Sequence, residues 1–141
     1  MVRINLIKPS SLSDQHLIAE YNEILMLLGY VRRYPSISDL PEKYCLGKGH
    51  IRFFKDKLLY LKKRHELIKE EMRRRGFRTG KTISLREFPL KMRNDWKPKK
   101  DDKDLIKRRI IERLKRKPHL YTYCGKRTTL KYLITKVKTS S

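Results

Sequence analysis

Acidic residues are scarce in this chain. Fifteen Asp and Glu stand against 37 Lys and Arg over 141 residues, a formal net charge of +22 at pH 7. That excess is larger than solubility requires and points to a polyanionic partner, with nucleic acid the first candidate. Thermophile-like surfaces also concentrate Lys and Arg, but they carry matching Glu, which is missing here. Cysteine is almost absent too, with Cys45 and Cys124 the two present. They have no CxxC spacing and no secretory segment before them, so they read as reduced structural thiols of a cytoplasmic protein, with no metal role. No apolar run approaches the roughly 18 residues that span a bilayer. The basic helices lack a bulky exposed apolar stripe, so a membrane-surface role has no support either. Internal repeats and low-complexity tracts are also lacking.

What is present suffices for one domain spanning residues 1–141. Hydrophobic content of 38% beside 37% charged residues is low for a core but far from the disordered class. Pro9 and the serines at 10, 11 and 13 form a turn, and Ser11 with Asp14 has capping-box spacing. Leu17, Tyr21, Ile24, Leu25 and Leu28 then repeat at helical intervals, with Gly29 marking a bend or a weakening end. His16, Glu20 and Glu23 fall in one polar stripe on a neighbouring face. Residues 34–49 read as a loop. Residues 50–75 read as the longest helix, with Phe54, Leu58, Leu61, His65, Ile68 and Met72 as its core side and Gly76 as its stop. Lys55, Lys62, Lys63, Lys69, Arg73 and Arg74 cover its other faces and are expected to be solvated. Residues 77–101 read as a long loop plugged to the core by Trp96. A third, very basic helix starts at Asp101 and Asp102 and ends at Pro118, with Leu105, Ile106, Ile110, Ile111 and Leu114 on its apolar side. The expected fold is all-α, one compact domain of three main helices with the N-terminal segment threaded across or between them. The apolar residues after Gly125 are expected to pack back on it.

The N-terminus carries its own chemistry. A small residue at position 2 lets methionine aminopeptidase remove Met1, leaving the α-amine of Val2. An α-amine has a reference pKa of about 7.7–8.0, against about 10.4 for lysine, so roughly a tenth of it is free base at pH 7. It is a ready nucleophile for carbonyl-like carbon.

Arg3-Ile4-Asn5-Leu6, Asp14-Gln15-His16-Leu17, Ala19-Glu20-Tyr21 and Glu23 resemble the pyrimidine-dimer DNA glycosylase/abasic-site lyase family of the phage endonuclease V type. Leu46-Gly47-Lys48-Gly49-His50, Phe53-Phe54, Asp56-Lys57 and Lys63-Arg64 continue the likeness. Shorter echoes follow at Arg75-Gly76-Phe77, at Asp95-Trp96-Lys97-Pro98, and from Pro118 to Lys126. Residues 127–141 extend past it.

The resemblance implies a reaction in which the α-amine of Val2 attacks the sugar C1′ of a damaged nucleotide. The base leaves, a protonated imine links enzyme to sugar, and loss of a C2′ proton breaks the strand. Because the imine is an electron sink, this chemistry needs a carboxylate near C2′ and no metal or other cofactor. Glu23 matches that carboxylate. Arg3 and His16 match DNA-contacting positions, though His16 also suits a first-turn residue bonded to backbone. Gln15 suits DNA or backbone equally. Arg109 and Arg113 match phosphate contacts, and Gly47, Gly49 and His50 shape a loop against the DNA backbone. Tyr121, Tyr123 and Lys126 match the family's aromatic C-terminal segment, where the tyrosines either wedge against an opened base step or pack as a pair.

Some residues depart from the family pattern. Val2 stands for a threonine, Asn22 and Met26 for arginines, Leu120 and Cys124 for aromatics, and Thr122 for a lysine. These bear on lesion preference more than on amine chemistry. The expected partner is damaged double-stranded DNA, bound by a monomer at cyclobutane pyrimidine dimers. Alternatives are the same chemistry on abasic sites or another lesion, or a non-catalytic basic DNA- or RNA-binding module.

Overall fold

In the computed structural model, which describes residues 3–141, serine and proline decide where the first helix begins. Pro9 opens a 3-10 turn over Pro9–Ser11, which Leu12 closes by donating to the Pro9 carbonyl. Helix α1 then runs Asp14–Arg33, capped by Ser13, whose Oγ accepts the His16 N–H. The expected Ser11–Asp14 box therefore does not form. Ser11 is spent in the 3-10 turn, and the Asp14 carboxylate is drawn to Arg75 and to residues 122–125. Leu17, Tyr21, Ile24, Leu27, Leu28 and Val31 make the buried side of α1. Gly29 does not end it. The helix continues to Arg32 and Arg33, whose charges suit a C-terminus.

The helix expected over residues 50–75 is broken in two: α2 at His50–Phe53 and α3 at Leu58–Arg74. The reason is burial. Phe53, Phe54 and Lys55 are all buried in succession, and one helix face cannot bury three consecutive residues. The chain turns instead. Lys57 donates to the Phe54 carbonyl, and the Asn94 side-chain amide clamps the carbonyl of Asp56. Beyond the turn, Leu58, Leu61, His65, Ile68 and Met72 are buried as their spacing predicts. Each fully buried leucine or isoleucine there contributes about 1.5–3 kcal/mol. Two lysines expected in solvent are buried. Lys69 Nζ donates to Lys81 O and Thr82 Oγ1 and pairs with Glu66, while Lys55 Nζ faces the Tyr30 ring at 5.5 Å.

The 77–101 connection is packed by its own apolar residues, Ile83, Leu85, Phe88 and Met92. Trp96 is half-buried among the rings of Tyr44, Phe53, Phe54 and Tyr60. Helix α4 follows at Lys100–Arg116, with Asp102 accepting from the Lys99 N–H at its start. After a 3-10 turn at Pro118–Leu120, strands β1 (Thr122–Tyr123) and β2 (Lys126–Arg127) form a short antiparallel hairpin. Cys124 and Gly125, both at positive φ, make its two-residue turn. Helix α5, Leu130–Lys138, returns onto α4 with Leu133 and Val137 in the core. The fold is all-α, with five helices among the described residues.

Residues 4–7 are buried and held from three sides. His50 Nε2 accepts the Ile4 N–H at 3.0 Å, and Tyr44 Oη donates to the Ile4 carbonyl at 2.8 Å. Arg64 on α3 donates to the Ile7 carbonyl while its guanidinium meets both carboxylate oxygens of Glu20 on α1. At residue 8 the backbone N–H reaches Ser140 Oγ beyond α5, so both ends of the described chain are tied together. Between these anchors Leu6 adopts φ 60°, with Ile7 N–H bonded to Asn5 O in a γ-turn, a conformation that costs about 1–3 kcal/mol in a non-glycine residue.

Candidate active site

Arg3, Asn5, Gln15, His16, Ala19, Arg109, Arg113 and Tyr121 line a pocket of about 220 Å³. Six of the eight are residues the sequence singles out for DNA contact. The wall is assembled from four places: the N-terminal segment, the first turns of α1, the second half of α4, and the residue before β1.

His16 sits at its centre. Nδ1 is 2.9 Å from Ser13 Oγ, so any polar contact His16 makes in the pocket falls to Nε2. Its ring lies parallel to Tyr121, centroids 5.0 Å apart. Burial, with Arg109 and Arg113 adding to it, lowers the His16 pKa to about 4, so the imidazole is neutral at pH 7. Arg109 is itself pushed below its ordinary value by burial and then by Arg113 and Arg3. Arg3, Arg109 and Arg113 around a neutral ring make this pocket cationic.

Glu23 lies one helical turn beyond Ala19 and is 9% exposed. Burial raises its pKa, and Arg3 opposes that rise. The carboxylate is therefore a stronger base than a solvated glutamate. Glu20, expected in the same polar stripe, is fully buried and bound by Arg64 at 2.7 Å. It anchors α3 to α1 instead of facing out.

Other candidates turn out to hold the frame. Gln15 lines the pocket, but its amide is committed to Thr122, accepting the backbone N–H at 2.8 Å and donating to Oγ1 at 3.1 Å. His50 is 2% exposed, and its Nδ1–H donates to Cys45 O at 2.8 Å. With Nε2 given to Ile4, both ring nitrogens are used internally, so His50 ties the 45–50 loop to the N-terminal segment. Gly49 beside it leaves no room for a side chain, since a Cβ would come within 2.8 Å of Pro41 and 3.0 Å of Cys45 Sγ. Tyr123 lies away from the pocket. Its hydroxyl donates to Ser10 O, Arg75 lies over its ring at 4.1 Å, and Tyr132 meets it edge-on. Lys126 is exposed on β2, outside the pocket wall. Val2 lies outside the described residues.

The sequence reading passed over Asp14 as a site organiser. This buried carboxylate accepts from Arg75 and Cys124 on Oδ1 and from Thr122 and Gly125 on Oδ2. Burial alone would raise its pKa, but the hydrogen bonds from Thr122, Gly125, Arg75 and Cys124 outweigh that and hold it below the ordinary aspartate value. It fixes the hairpin, and so Tyr121, against the start of α1. Among the described residues no three His, Cys, Asp or Glu side chains cluster as metal ligands. No helix is long and apolar enough to cross a membrane.

What the fold and the pocket define is a small all-helical, strongly cationic protein built to hold a polyanion beside a buried carboxylate. The family model of pyrimidine dimer DNA glycosylases matches residues 1–85, and the chain belongs to that family. Its general activity is accordingly that of a pyrimidine dimer DNA glycosylase, and its substrate is DNA. The matched part contains α1 to α3, with Arg3, His16 and Glu23. Arg109, Arg113 and Tyr121, which close the pocket, lie beyond it.

Proposed function

We propose that the protein acts on double-stranded DNA at cyclobutane pyrimidine dimers as both glycosylase and abasic-site lyase, through an imine formed by the α-amine of Val2 after Met1 is removed. The observation that carries this reading is Glu23: a nearly buried carboxylate of raised basicity, close enough to Arg3 to feel its charge, in a chain of the glycosylase family. An amine on the residue preceding Arg3 is one peptide unit away from that pocket wall.

The chemistry follows from those groups. The free amine attacks C1′, the bond to the pyrimidine nitrogen breaks with its electron pair going to the base, and the base, still tied to its neighbour through the cyclobutane ring, takes the proton that the attacking nitrogen gives up. Opening of the sugar ring gives a protonated imine at C1′. Glu23 stabilises the positive charge that develops and then removes a proton from C2′. The electrons of that C–H bond flow towards the imine, and the 3′ phosphate departs from C3′. Water finally hydrolyses the imine and frees the amine. Arg3, Arg109 and Arg113 hold phosphate, which positions the duplex without reading its sequence. Neutral His16, stacked on Tyr121, offers Nε2 to the DNA. Lys126 adds a phosphate contact from the hairpin, while Gln15, Tyr123 and His50 keep the wall in place. Access to C1′ requires a nucleotide to leave the stack, at a few kcal/mol of lost pairing and stacking.

Borohydride trapping tests the mechanism. A covalent adduct with abasic-site duplex, abolished when the N-terminus is acetylated or extended, is the expected result. Binding with no adduct would leave a basic DNA-binding module. Glu23→Gln is expected to retain DNA affinity within about twofold and to lose strand cleavage by at least about a hundredfold, the scale of general-base effects. Unchanged cleavage on ultraviolet-irradiated plasmid would refute the role of Glu23. Intact-protein mass spectrometry reports whether Met1 has been removed.

A further inference from the structure

Lys and Arg make up about one residue in four of this chain, yet none occurs from Pro9 to Val31. The helix that bears Glu23 is therefore free of positive charge until its last two residues. Positions 19, 23, 26 and 30 of α1 follow one another at intervals of three and four, and position 22 lies beside them on the same face. The pocket wall reaches Ala19 on this face. Glu23 stands one turn on. Beyond it Met26 projects with 68% exposure, between exposed Asn22 and half-buried Tyr30. At 1.5 Å per residue, Met26 lies about 10 Å along the helix from Ala19, roughly three base-pair steps of duplex.

We propose that Met26 is an apolar wedge that enters the base stack beside the damaged nucleotide and holds the opened step apart. The inference rests on the repair-enzyme reading above. Its physical ground is a division of labour on one surface. Arg3, Arg109 and Arg113 on the pocket wall suit phosphate, whereas Asn22, Met26 and Tyr30 carry no charge of their own and Met26 has no donor for phosphate. It suits the flat, poorly hydrated faces of unstacked bases. Methionine fits this use because its unbranched thioether adapts its shape and makes favourable contacts with aromatic rings. Apolar side chains inserted between base steps are an established way to kink a duplex and keep it open. A lysine or arginine at position 26 would instead stay with solvent or phosphate, since entry into the stack would strip its charge of water.

The test compares the full-length wild type, Met26→Ala and Met26→Leu in single-turnover incision of a duplex carrying one thymine dimer. One duplex has adenines opposite the dimer. The other has mismatched bases there, so that the step is already open. Met26→Ala is expected to slow incision of the paired duplex about tenfold and of the mismatched one less than about threefold, with Met26→Leu recovering most of the paired-duplex rate. A 2-aminopurine beside the dimer should lose its fluorescence rise with Met26→Ala and regain it with Met26→Leu. Equal rates for wild type and Met26→Ala on the paired duplex overturn the wedge. Equal slowing on both duplexes also overturns it, because that is a loss of binding and not of opening. If the wild type incises neither duplex, the repair-enzyme reading falls and takes the wedge with it, a result distinct from the other two.

Discussion

The hydrogen bonds that hold the N-terminal segment need a neutral His50. The neutral ring donates from Nδ1 to Cys45 and accepts from Ile4 on Nε2, so it serves as donor and acceptor at once. Protonation would put a second N–H against the Ile4 N–H. Burial accordingly lowers the His50 pKa to about 4; Arg3 and Arg109 add to this, and the bond to Cys45 opposes it. His16 is lowered to about 4 as well. Unfolded histidine titrates near 6.5, so between about 4 and 6.5 the unfolded chain binds more protons than the folded one. Stability from these rings is therefore full above about pH 6.5 and is lost as pH falls towards 4. The loss is on the order of 2 kcal/mol for each ring. Thermal melts at pH 7 and pH 4.5 should show it, and His16→Gln should remove part of the difference, since burial also holds His65 below its ordinary value. Nitrogen-detected NMR should place the His50 proton on Nδ1; a His50 midpoint near 6.5 would contradict this account. Glu23 has the opposite sign. Its raised pKa means that burying the charged form costs stability above that pKa, so Glu23→Gln should raise the melting temperature at pH 8 by about 2–4 °C while strand cleavage is lost.

At the scale of elements, the hairpin is held to α1 by one side chain. Asp14 satisfies its four acceptor positions with Arg75, Cys124, Thr122 and Gly125, joining the start of α1, the end of α3 and the β-turn. Asp14→Ala leaves the Arg75 guanidinium buried without this partner and strands two backbone N–H groups. A destabilisation of about 3–5 kcal/mol is expected in urea unfolding. Loss of the parallel His16–Tyr121 contact should appear with it, as ring-current shifts in the folded variant. A cost below about 1 kcal/mol would show that the hairpin is held by something else. This hub explains where the sequence could and could not be read. Helical periodicity identified α1, α3 and α4, because a buried stripe at intervals of three and four depends on local geometry alone. It joined α2 to α3 because spacing does not record that Phe53, Phe54 and Lys55 all face inward. It assigned Asp14 to a cap because a first-turn aspartate is the local expectation, while its real partners lie 61 and 108–111 residues away. Likewise the family likeness located Arg3, His16 and Glu23, but whether His50 and Gln15 face outward depends on partners at Ile4, Cys45 and Thr122. Local spacing carries which face of a helix is apolar, whereas the long-range hydrogen bonds of Asp14, Gln15 and His50 are set only when the chain folds.

Across the whole molecule, buried charges are balanced and the excess is on the surface. Nine of the 15 acids, Asp14, Glu20, Asp56, Glu66, Glu71, Glu87, Asp95, Asp104 and Glu112, are held in ion pairs. Asp14, Glu20, Glu23 and Glu71 are buried together with Lys55, Arg64, Lys69 and Arg75, so the interior is balanced and the surplus of +22 is left to the surface. That surplus is interrupted along α1 beyond the pocket, where no Lys or Arg occurs before Arg32. On the proposed function, DNA held by the cationic flanks would lie across this strip of α1, which carries Glu23. Binding to undamaged duplex should then be dominated by counterion release. Six to ten phosphate contacts would give a slope of about −5 to −9 in log K against log salt concentration. Arg113→Ala should flatten that slope by about one and weaken damaged and undamaged duplex by the same factor, because a phosphate contact carries no lesion information. Glu23→Gln should leave the slope unaltered, since a carboxylate releases no counterion from DNA. Fluorescence anisotropy from 50 to 300 mM salt measures all three proteins. A loss in Arg113→Ala confined to damaged duplex would mean that this guanidinium reads the lesion, and the separation of phosphate-holding flanks from a base-facing centre would be wrong.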